Sequence, residues 1–169
     1  MDSTLIHGVV TFLLGGQAFG LPVGTVREVV PNAWLDQPPH MPTVVEGILN
    51  LGGRAVPVLR LDRLLGVDDC RFGIDASILV MRDDGPGAPV LGLLVDHVDG
   101  VRSADYFTTM DFPDRRSFNG CLTDQLECVG GTVFLLDWRK ILLAEEKIRV
   151  AEFGLAAQAR LAALGNGGP

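Results

Sequence analysis

The alternation of apolar and polar positions predicts short strands along most of the chain. Leu5–Leu14 is apolar and rich in β-branched residues on both faces, which is typical of a strand buried on two sides. Ala18–Val23 is a second strand beyond the turn residues Gly15 and Gly16, so the chain opens with a hairpin. Further strands are predicted at Arg54–Leu61, Ala76–Met81, Val90–Val95, Glu127–Val129 and Thr132–Leu136, with short elements at 24–30 and 44–51. The pattern therefore predicts a mostly β protein.

Glycine- and proline-rich segments separate these elements. Pro31–Pro42 is a proline-rich surface loop, and Asp83–Pro89 (DDGPGAP) is a hairpin loop. The segment 105–118 is predicted as a second long loop. Gly52-Gly53 and Gly130-Gly131 each fall between two predicted strands, so both pairs indicate tight hairpin turns.

The C-terminal segment has a helical pattern instead. Trp138–Leu164 contains no proline and is rich in Ala, Leu, Glu and Arg. Its apolar positions recur at spacings of three and four, at Val150, Phe153, Ala157, Leu161 and Leu164. Gly154 weakens the helix by about 1 kcal/mol relative to alanine. An apolar face of this size needs a cover, either the β-domain, a partner or a second copy, and self-association through the helix is one expectation.

A weak internal repeat organises the β part of the chain. Residues 20–29 (GLPVGTVREV) and 92–101 (GLLVDHVDGV) both fit G-L-x-V-x-x-V-x-x-V. Further on, LRLDRLL at 59–65 corresponds to LDWRKIL at 136–142. Coincidence between valine-rich strands is the alternative. Two ordered matches favour two related small β-barrels, at about 5–65 and 76–142, which pack together because neither half buries a large core alone.

Composition narrows the possible partners. The formal net charge is −7, which argues against binding to nucleic acid or to an anionic membrane surface. No apolar stretch approaches the roughly 18 residues that a membrane helix needs, and the N-terminus has no basic region of a signal peptide. We therefore expect a cytoplasmic protein without membrane insertion. The three cysteines form no C-x-x-C pair and are expected to be reduced thiols.

The residues with catalytic or metal-binding chemistry do not converge on a recognisable motif. His97 lies between Asp96 and Asp99, a combination that suits a metal, but the repeat explains the same segment. The GGQAFG stretch at 15–20 lacks the lysine of a phosphate-binding loop, and no serine has the context of a nucleophile elbow. We expect no catalytic residue, no metal and no cofactor. A small β-barrel enzyme is a remote alternative.

Five segments in this order resemble the CheW-like family of chemotaxis coupling proteins. They are FGLPVGTVREVV (19–30), the proline-rich loop to Pro42, VVEGILNLGGRAVPVLRL (44–61), VLGLLVDHVDGV (90–101) and FLLDWRKIL (134–142). The most specific piece is G-x-x-N-L-x-G-x-x-x-P-V, at Gly47–Val58. The resemblance covers about residues 6–143.

The resemblance implies a fold and a role. The fold would be two intertwined five-stranded SH3-like β-barrels with a C-terminal α-helix, arranged as a CheW-like domain over residues 1–143 and a helix and tail over 144–169. The role would be a non-enzymatic adaptor in bacterial chemotaxis. It would bind the cytoplasmic tip of a methyl-accepting chemoreceptor and the regulatory domain of a CheA-type histidine kinase. A scaffold of another chemosensory pathway, in pilus motility or second-messenger signalling, is the alternative.

The resemblance also implies a receptor site in a groove between the sub-barrels. The matching positions are Val26, Glu28, Gly47, Asn50 and Gly53. The chain departs from the family at Gly52, where the family usually has Arg, and at Arg60, where it usually has Asp. We expect Arg54 to replace the missing arginine as the partner of Glu28. A simply solvated Arg54 is the alternative.

Overall fold

A computed structural model describes residues 7–68, 70–82, 90–110 and 120–165, and within these ranges the chain forms eleven strands and two α-helices. The strands are β1 (Gly8–Leu14), β2 (Gln17–Pro22), β3 (Val26–Pro31), β4 (Val45–Leu51), β5 (Arg54–Arg60), β6 (Ser77–Met81), β7 (Gly92–Val95), β8 (His97–Ser103), β9 (Thr108–Met110), β10 (Leu122–Cys128) and β11 (Gly131–Leu136). The helices are α1 (Leu61–Leu65) and α2 (Ala144–Gly165). The predicted loop at 83–89 and the part of the second long loop at 111–118 lie outside the described residues.

The strands form two open sheets. The first has six strands in the order β8-β1-β2-β11-β10-β9, and the second has five in the order β3-β6-β7-β5-β4. Neighbouring strands are antiparallel except for two pairs, β2 with β11 and β5 with β7, which are parallel. Each parallel pair joins a strand from the first half of the sequence to one from the second half.

The two halves of the sequence are interlocked. The chain leaves the first sheet at Pro22 and enters the second at Val26, and it leaves the second at Val95 and enters the first at His97. These two crossings are the segments that share the G-L-x-V repeat. The mostly β class, the two intertwined halves and the C-terminal helix are therefore confirmed, whereas the described strands form open sheets of six and five strands instead of two closed five-stranded barrels. The domain boundary near residue 143 stays a prediction.

One main core joins the sheets. Phe12 and Leu21 from the first sheet lie in the same buried cluster as Leu79 and Leu93 from the second. Each of these four side chains is less than 2% exposed, and burial of such a side chain stabilises the fold by about 1.5–3 kcal/mol. The sheets therefore share their main stabilising contacts.

Three strands and one helix boundary differ from the sequence predictions, since β10 begins at Leu122 and not at the predicted Glu127. β9 lies inside the segment predicted as a loop, and β8 was not predicted as a strand. Both are edge strands with mostly exposed residues, so neither shows a buried, β-branched pattern. The C-terminal helix begins at Ala144 rather than near Trp138, because Trp138–Lys140 is a 3₁₀ turn.

Helix α2 packs on the β-domain. Val150 is 1% exposed within the main core, and Phe153 packs against the same cluster. A Cβ atom on Gly154 would lie 3.3 Å from Cγ of Pro57, so the glycine allows close approach to β5. The β-domain thus covers the first part of the predicted apolar face, and self-association through the helix stays a prediction. None of the helices in the described part of the chain is both long and apolar enough to cross a lipid bilayer.

Candidate functional site

Four of the six proposed receptor-contact residues lie on the β4–β5 hairpin, namely Gly47, Asn50, Gly53 and Arg54. Gly52 and Gly53 have φ angles of 60° and 91°, which suits a two-residue turn with both central residues in the left-handed region. The Asn50 side chain closes the turn, because its Oδ1 accepts a hydrogen bond of 2.9 Å from the backbone N–H of Gly53. Arg54 follows as the first residue of β5 and faces Leu51 across the hairpin. The positive φ angles of this turn therefore account for the presence of glycine at positions 52 and 53.

Gly47 is covered by Leu35 and Asp36 of the chain itself. A Cβ atom there would lie 2.7 Å from Cβ of Leu35 and 2.9 Å from the carbonyl oxygen of Asp36. Asp36 also exchanges two backbone hydrogen bonds with Ile48, of 2.9 and 2.8 Å. The absence of a side chain at Gly47 allows Leu35 and Asp36, in the loop after β3, to pack directly against the backbone of β4. Any side chain at position 47 would displace that segment.

The other two residues implied by the resemblance lie on β3. Val26 is 8% exposed and belongs to the main core. Glu28 is exposed, and its Oε1 lies 3.8 Å from Nε of Arg27. Strands β6, β7 and β5 lie between β3 and β4 in the sheet order, so the six proposed residues form two groups. The sheet order does not favour a Glu28–Arg54 pair, since two strands separate β3 from β5.

A shallow apolar groove lies beside the β4–β5 hairpin and was not predicted from the sequence. Its volume is about 90 Å³. It is lined by Trp34, Asp36, Pro38, Ile48, Asn50, Ala157, Arg160, Leu161 and Leu164. Trp34 is 85% exposed and Leu164 is 73% exposed, so the rim presents two large apolar side chains to solvent. Asn50 connects this groove to the hairpin turn. Only the unusual tryptophan within the proline-rich loop could have signalled the groove in advance.

Arg60 is the centre of a compact ion-pair cluster. Its Nε and one terminal nitrogen donate hydrogen bonds of 2.8 and 2.7 Å to the two carboxylate oxygens of Asp62, and the other terminal nitrogen lies 3.2 Å from Oε2 of Glu46. The guanidinium also lies 4.7 Å from the ring centre of Phe72. Burial by itself would raise the pKa of Asp62, but hydrogen bonds and charge from Arg60 outweigh burial and lower that pKa. Arg60 is therefore a structural residue rather than an open charge on a binding surface.

The remaining reactive side chains are dispersed. Nε2 of His97 lies 3.5 Å from Oδ1 of Asp99 on the exposed strand β8. Within the residues that the structure describes, no three His, Cys, Asp or Glu side chains are grouped so that they could hold a metal ion. Burial, assisted by the charges of Asp96 and Asp62, raises the pKa of the Cys70 thiol to about 11. Burial likewise raises the pKa of Cys121 to about 11, so both thiols are protonated at neutral pH.

Two known bacterial proteins are similar in sequence to about half of this chain. The chain is 33% identical to protein PilI of Pseudomonas aeruginosa over 91 residues, which cover 54% of this chain and 49% of PilI. It is 30% identical to the chemotaxis protein CheW of Thermotoga maritima over 93 residues, covering 55% of this chain and 59% of that protein. The matches thus span about half the length of these relatives.

The fold has a counterpart among solved structures. The scaffolding protein TtCheW from Thermoanaerobacter tengcongensis superposes with a TM-score of 0.69 at 21% identity, over 83% of this chain and 90% of TtCheW. The sequence profile described as CheW-like domain matches residues 8–145, which include every strand of both sheets. The chain therefore belongs to the CheW-like domain family.

Proposed function

We propose that this protein is a cytoplasmic, non-enzymatic adaptor that couples methyl-accepting chemoreceptors to a CheA-type histidine kinase in bacterial chemotaxis. The family match over residues 8–145 is the observation that carries the proposal. A chemotaxis protein CheW among the relatives supports the same role. The two partners would be the cytoplasmic tip of the receptor and the regulatory domain of the kinase.

The physical character of the surface supports a binding role. A receptor tip is a helical hairpin, and such a helix docks onto apolar surface bordered by a few polar groups. The β4–β5 hairpin and its groove offer this combination, with Trp34 and Leu164 as apolar contacts and Asn50 as a polar one. Exposed aromatic side chains are common energetic centres of protein interfaces. We therefore place the receptor contact on this hairpin, with Glu28 on β3 as a second contact.

Reconstitution with both partners tests the adaptor role. The full chain is mixed with a chemoreceptor cytoplasmic fragment and with a CheA-type kinase from the same organism, and binding is measured by calorimetry. We expect it to bind each partner alone and to increase kinase autophosphorylation when the receptor fragment is present. Binding to neither partner would contradict the proposed function.

Charge neutralisation at Glu28 tests the second contact. Glu28→Gln should weaken receptor binding a few-fold, mainly through the association rate, because a rim charge acts chiefly on encounter. Asp99→Asn is the matched control, since Asp99 is equally exposed and lies on the corresponding edge strand of the other sheet. Equal receptor affinities for the two variants and the wild type would show that Glu28 is not part of the receptor site.

A scaffold of another chemosensory pathway is the second candidate. The 33% identity to protein PilI is the observation that favours it. A pull-down from the native cytosol, followed by identification of the co-purified kinase and receptor, distinguishes the two pathways. Chemotaxis is supported if the kinase belongs to the flagellar signalling system and is contradicted if it serves pili or a second messenger.

A further inference from the structure

Among the residues that the structure describes, no strand pairs with the first residues of β5 on the side opposite β4. β5 pairs with β4 along its whole length, but its pairing with β7 begins only at Val58. Leu51 and Arg54 close the two-residue turn, so the next pair, Asn50 with Ala55, points its backbone groups away from the partner strand. The N–H of Ala55 therefore faces the open side. Pro57, two residues on, has no N–H to leave unpaired there.

The side chain of Gln158 occupies this open side. Its Oε1 accepts a hydrogen bond of 2.8 Å from the N–H of Ala55, and its Nε2 donates one of 3.1 Å to the carbonyl oxygen of Gly53. A primary amide offers the same donor and acceptor as a peptide group of an adjacent strand. The glutamine thus replaces the missing strand at the two backbone groups nearest the turn.

The turn is consequently held from two directions. Asn50 binds the N–H of Gly53 from within the hairpin, and Gln158 binds the carbonyl oxygen of Gly53 from α2. Consecutive glycines have the greatest backbone freedom of any residues, so an unsupported Gly52-Gly53 turn would sample several conformations. Two side chains on one residue restrict that freedom before any partner binds.

The helix is placed so that Gln158 meets the turn. Val150, Gly154 and Gln158 are spaced by four and lie on one face of α2. Val150 is buried in the main core and Gly154 packs on Pro57, so the register of the helix against β5 is fixed before Gln158 is reached. Gln158 lies beyond residue 145, the last residue matched by the CheW-like family. The glutamine therefore lies outside the matched domain, and the two backbone groups that it binds lie inside it.

We infer that Gln158 is a positioning residue for the proposed receptor site, because it holds the turn that carries Asn50, Gly53 and Arg54 in one conformation. The inference rests on the proposed function for the identity of the partner. A turn ordered in advance loses less conformational entropy on binding, so it binds more tightly than a flexible one. Helix α2 thereby raises receptor affinity through a contact between Ala55 and Gln158, which are 103 residues apart in the sequence.

Gln158→Leu in the full chain tests this role. Leucine has a similar helix propensity but forms neither hydrogen bond. We expect the affinity for the receptor cytoplasmic fragment to fall about threefold to tenfold, with kinase binding unchanged. Hydrogen exchange at the Ala55 amide should become faster, which reports directly on the lost contact. Asn50→Ala should weaken binding non-additively with Gln158→Leu, since both act on Gly53.

Val150→Ala is the control for a purely structural effect. It lowers the stability of the same helix without removing a contact to the turn, so receptor affinity should stay at the wild-type value while the protein remains folded. If Gln158→Leu binds the receptor fragment as the wild type does, while Ala55 exchange is faster, the positioning role is wrong and the adaptor function stands. If the wild type itself fails to bind the receptor fragment, the proposed function fails, and the receptor role of Gln158 with it.

Discussion

The Arg60–Asp62 pair shows how two corresponding positions of the repeat serve different purposes. Arg60 and Asp62 in LRLDRLL correspond to Asp137 and Arg139 in LDWRKIL, so the order of the charges is reversed. In the second repeat, Oδ1 of Asp137 accepts a hydrogen bond from the backbone N–H of Arg139, at the start of a 3₁₀ turn. In the first repeat, Arg60 also reaches Glu46 on β4. In the first repeat the reversal therefore accompanies an ion pair with a third charged residue, Glu46.

Removal of Arg60 should destabilise the protein strongly. Arg60→Ala leaves Asp62, whose side chain is 7% exposed, without its main partner, so we expect a loss of about 3 kcal/mol in the free energy of unfolding. Arg27→Ala, at an exposed side chain, should change stability by less than about 0.5 kcal/mol. Urea denaturation measures both. A loss below 1 kcal/mol for Arg60→Ala would show that the cluster contributes little.

The lowered pKa of Asp62 predicts a loss of stability in acid. A carboxyl whose pKa is lower in the folded than in the unfolded state stabilises the fold above its unfolded pKa, which is 3.8 for Asp62. That contribution disappears as the pH falls below about 4. Asp62→Asn should be less stable than the wild type at pH 7, and the difference should shrink towards pH 3. Parallel stability curves for the two proteins between pH 5 and pH 3 would contradict the assignment.

The sequence could predict the turn of the candidate site but not its surroundings. Paired glycines after Asn50-Leu51 indicate a hairpin by local rules alone, and Gly52 and Gly53 have the positive φ angles such a turn needs. The packing of Leu35 and Asp36 on Gly47 and the hydrogen bonds from Gln158 to the hairpin are contacts between separate segments of the chain. No spacing pattern encodes them, since Gln158 looks like an ordinary polar position on a helix.

At the scale of elements, burial decided which predictions succeeded. β1 and β6 are mostly buried apolar strands, and both were predicted within a few residues. β8 and β9 were missed because their residues are mostly exposed, so their strand conformation depends on pairing with β1 and β10. The apolar face of α2 was also predicted. Which surface covers it could not be derived from spacing alone, and in the structure the main core and β5 cover only its first part, at Val150, Phe153 and Gly154.

Two positions on α2 should differ sharply in their contribution to stability. Val150 is 1% exposed and Leu155 is 74% exposed, although both are apolar residues of the same helix. Val150→Ala should cost about 2 kcal/mol through lost burial and a residual cavity. Leu155→Ala should change stability by less than about 0.5 kcal/mol. Thermal melts compare the two, and equal losses would mean that α2 does not pack on the core as described.

At the scale of the whole molecule, the interlocked topology makes the two sheets depend on each other. The first sheet contains β1 and β2 from the start of the chain and β8–β11 from its end, while the second contains β3–β7. Both sheets contribute side chains to one buried cluster. Opening either sheet would expose the apolar surface of the other. It would also release one end of each segment that connects the two sheets, at 23–25 and at residue 96.

The two sheets should therefore unfold in one cooperative step. Hydrogen exchange gives an opening free energy for each amide, and the most protected amides report global unfolding. We expect the buried backbone amides of the two sheets to have opening free energies that agree within about 1 kcal/mol. The amides compared are those of Val10 and Leu135 in the first sheet and of Val58 and Leu79 in the second. Their dependence on urea should also be equal, because the same surface is exposed in each case. Thr109 on the edge strand β9 serves as the control for local fraying, and its amide should exchange faster than all four. If the amides of one sheet open several kcal/mol more easily than those of the other, the sheets are separate folding units, and the shared core around Phe12 and Leu79 does not couple them.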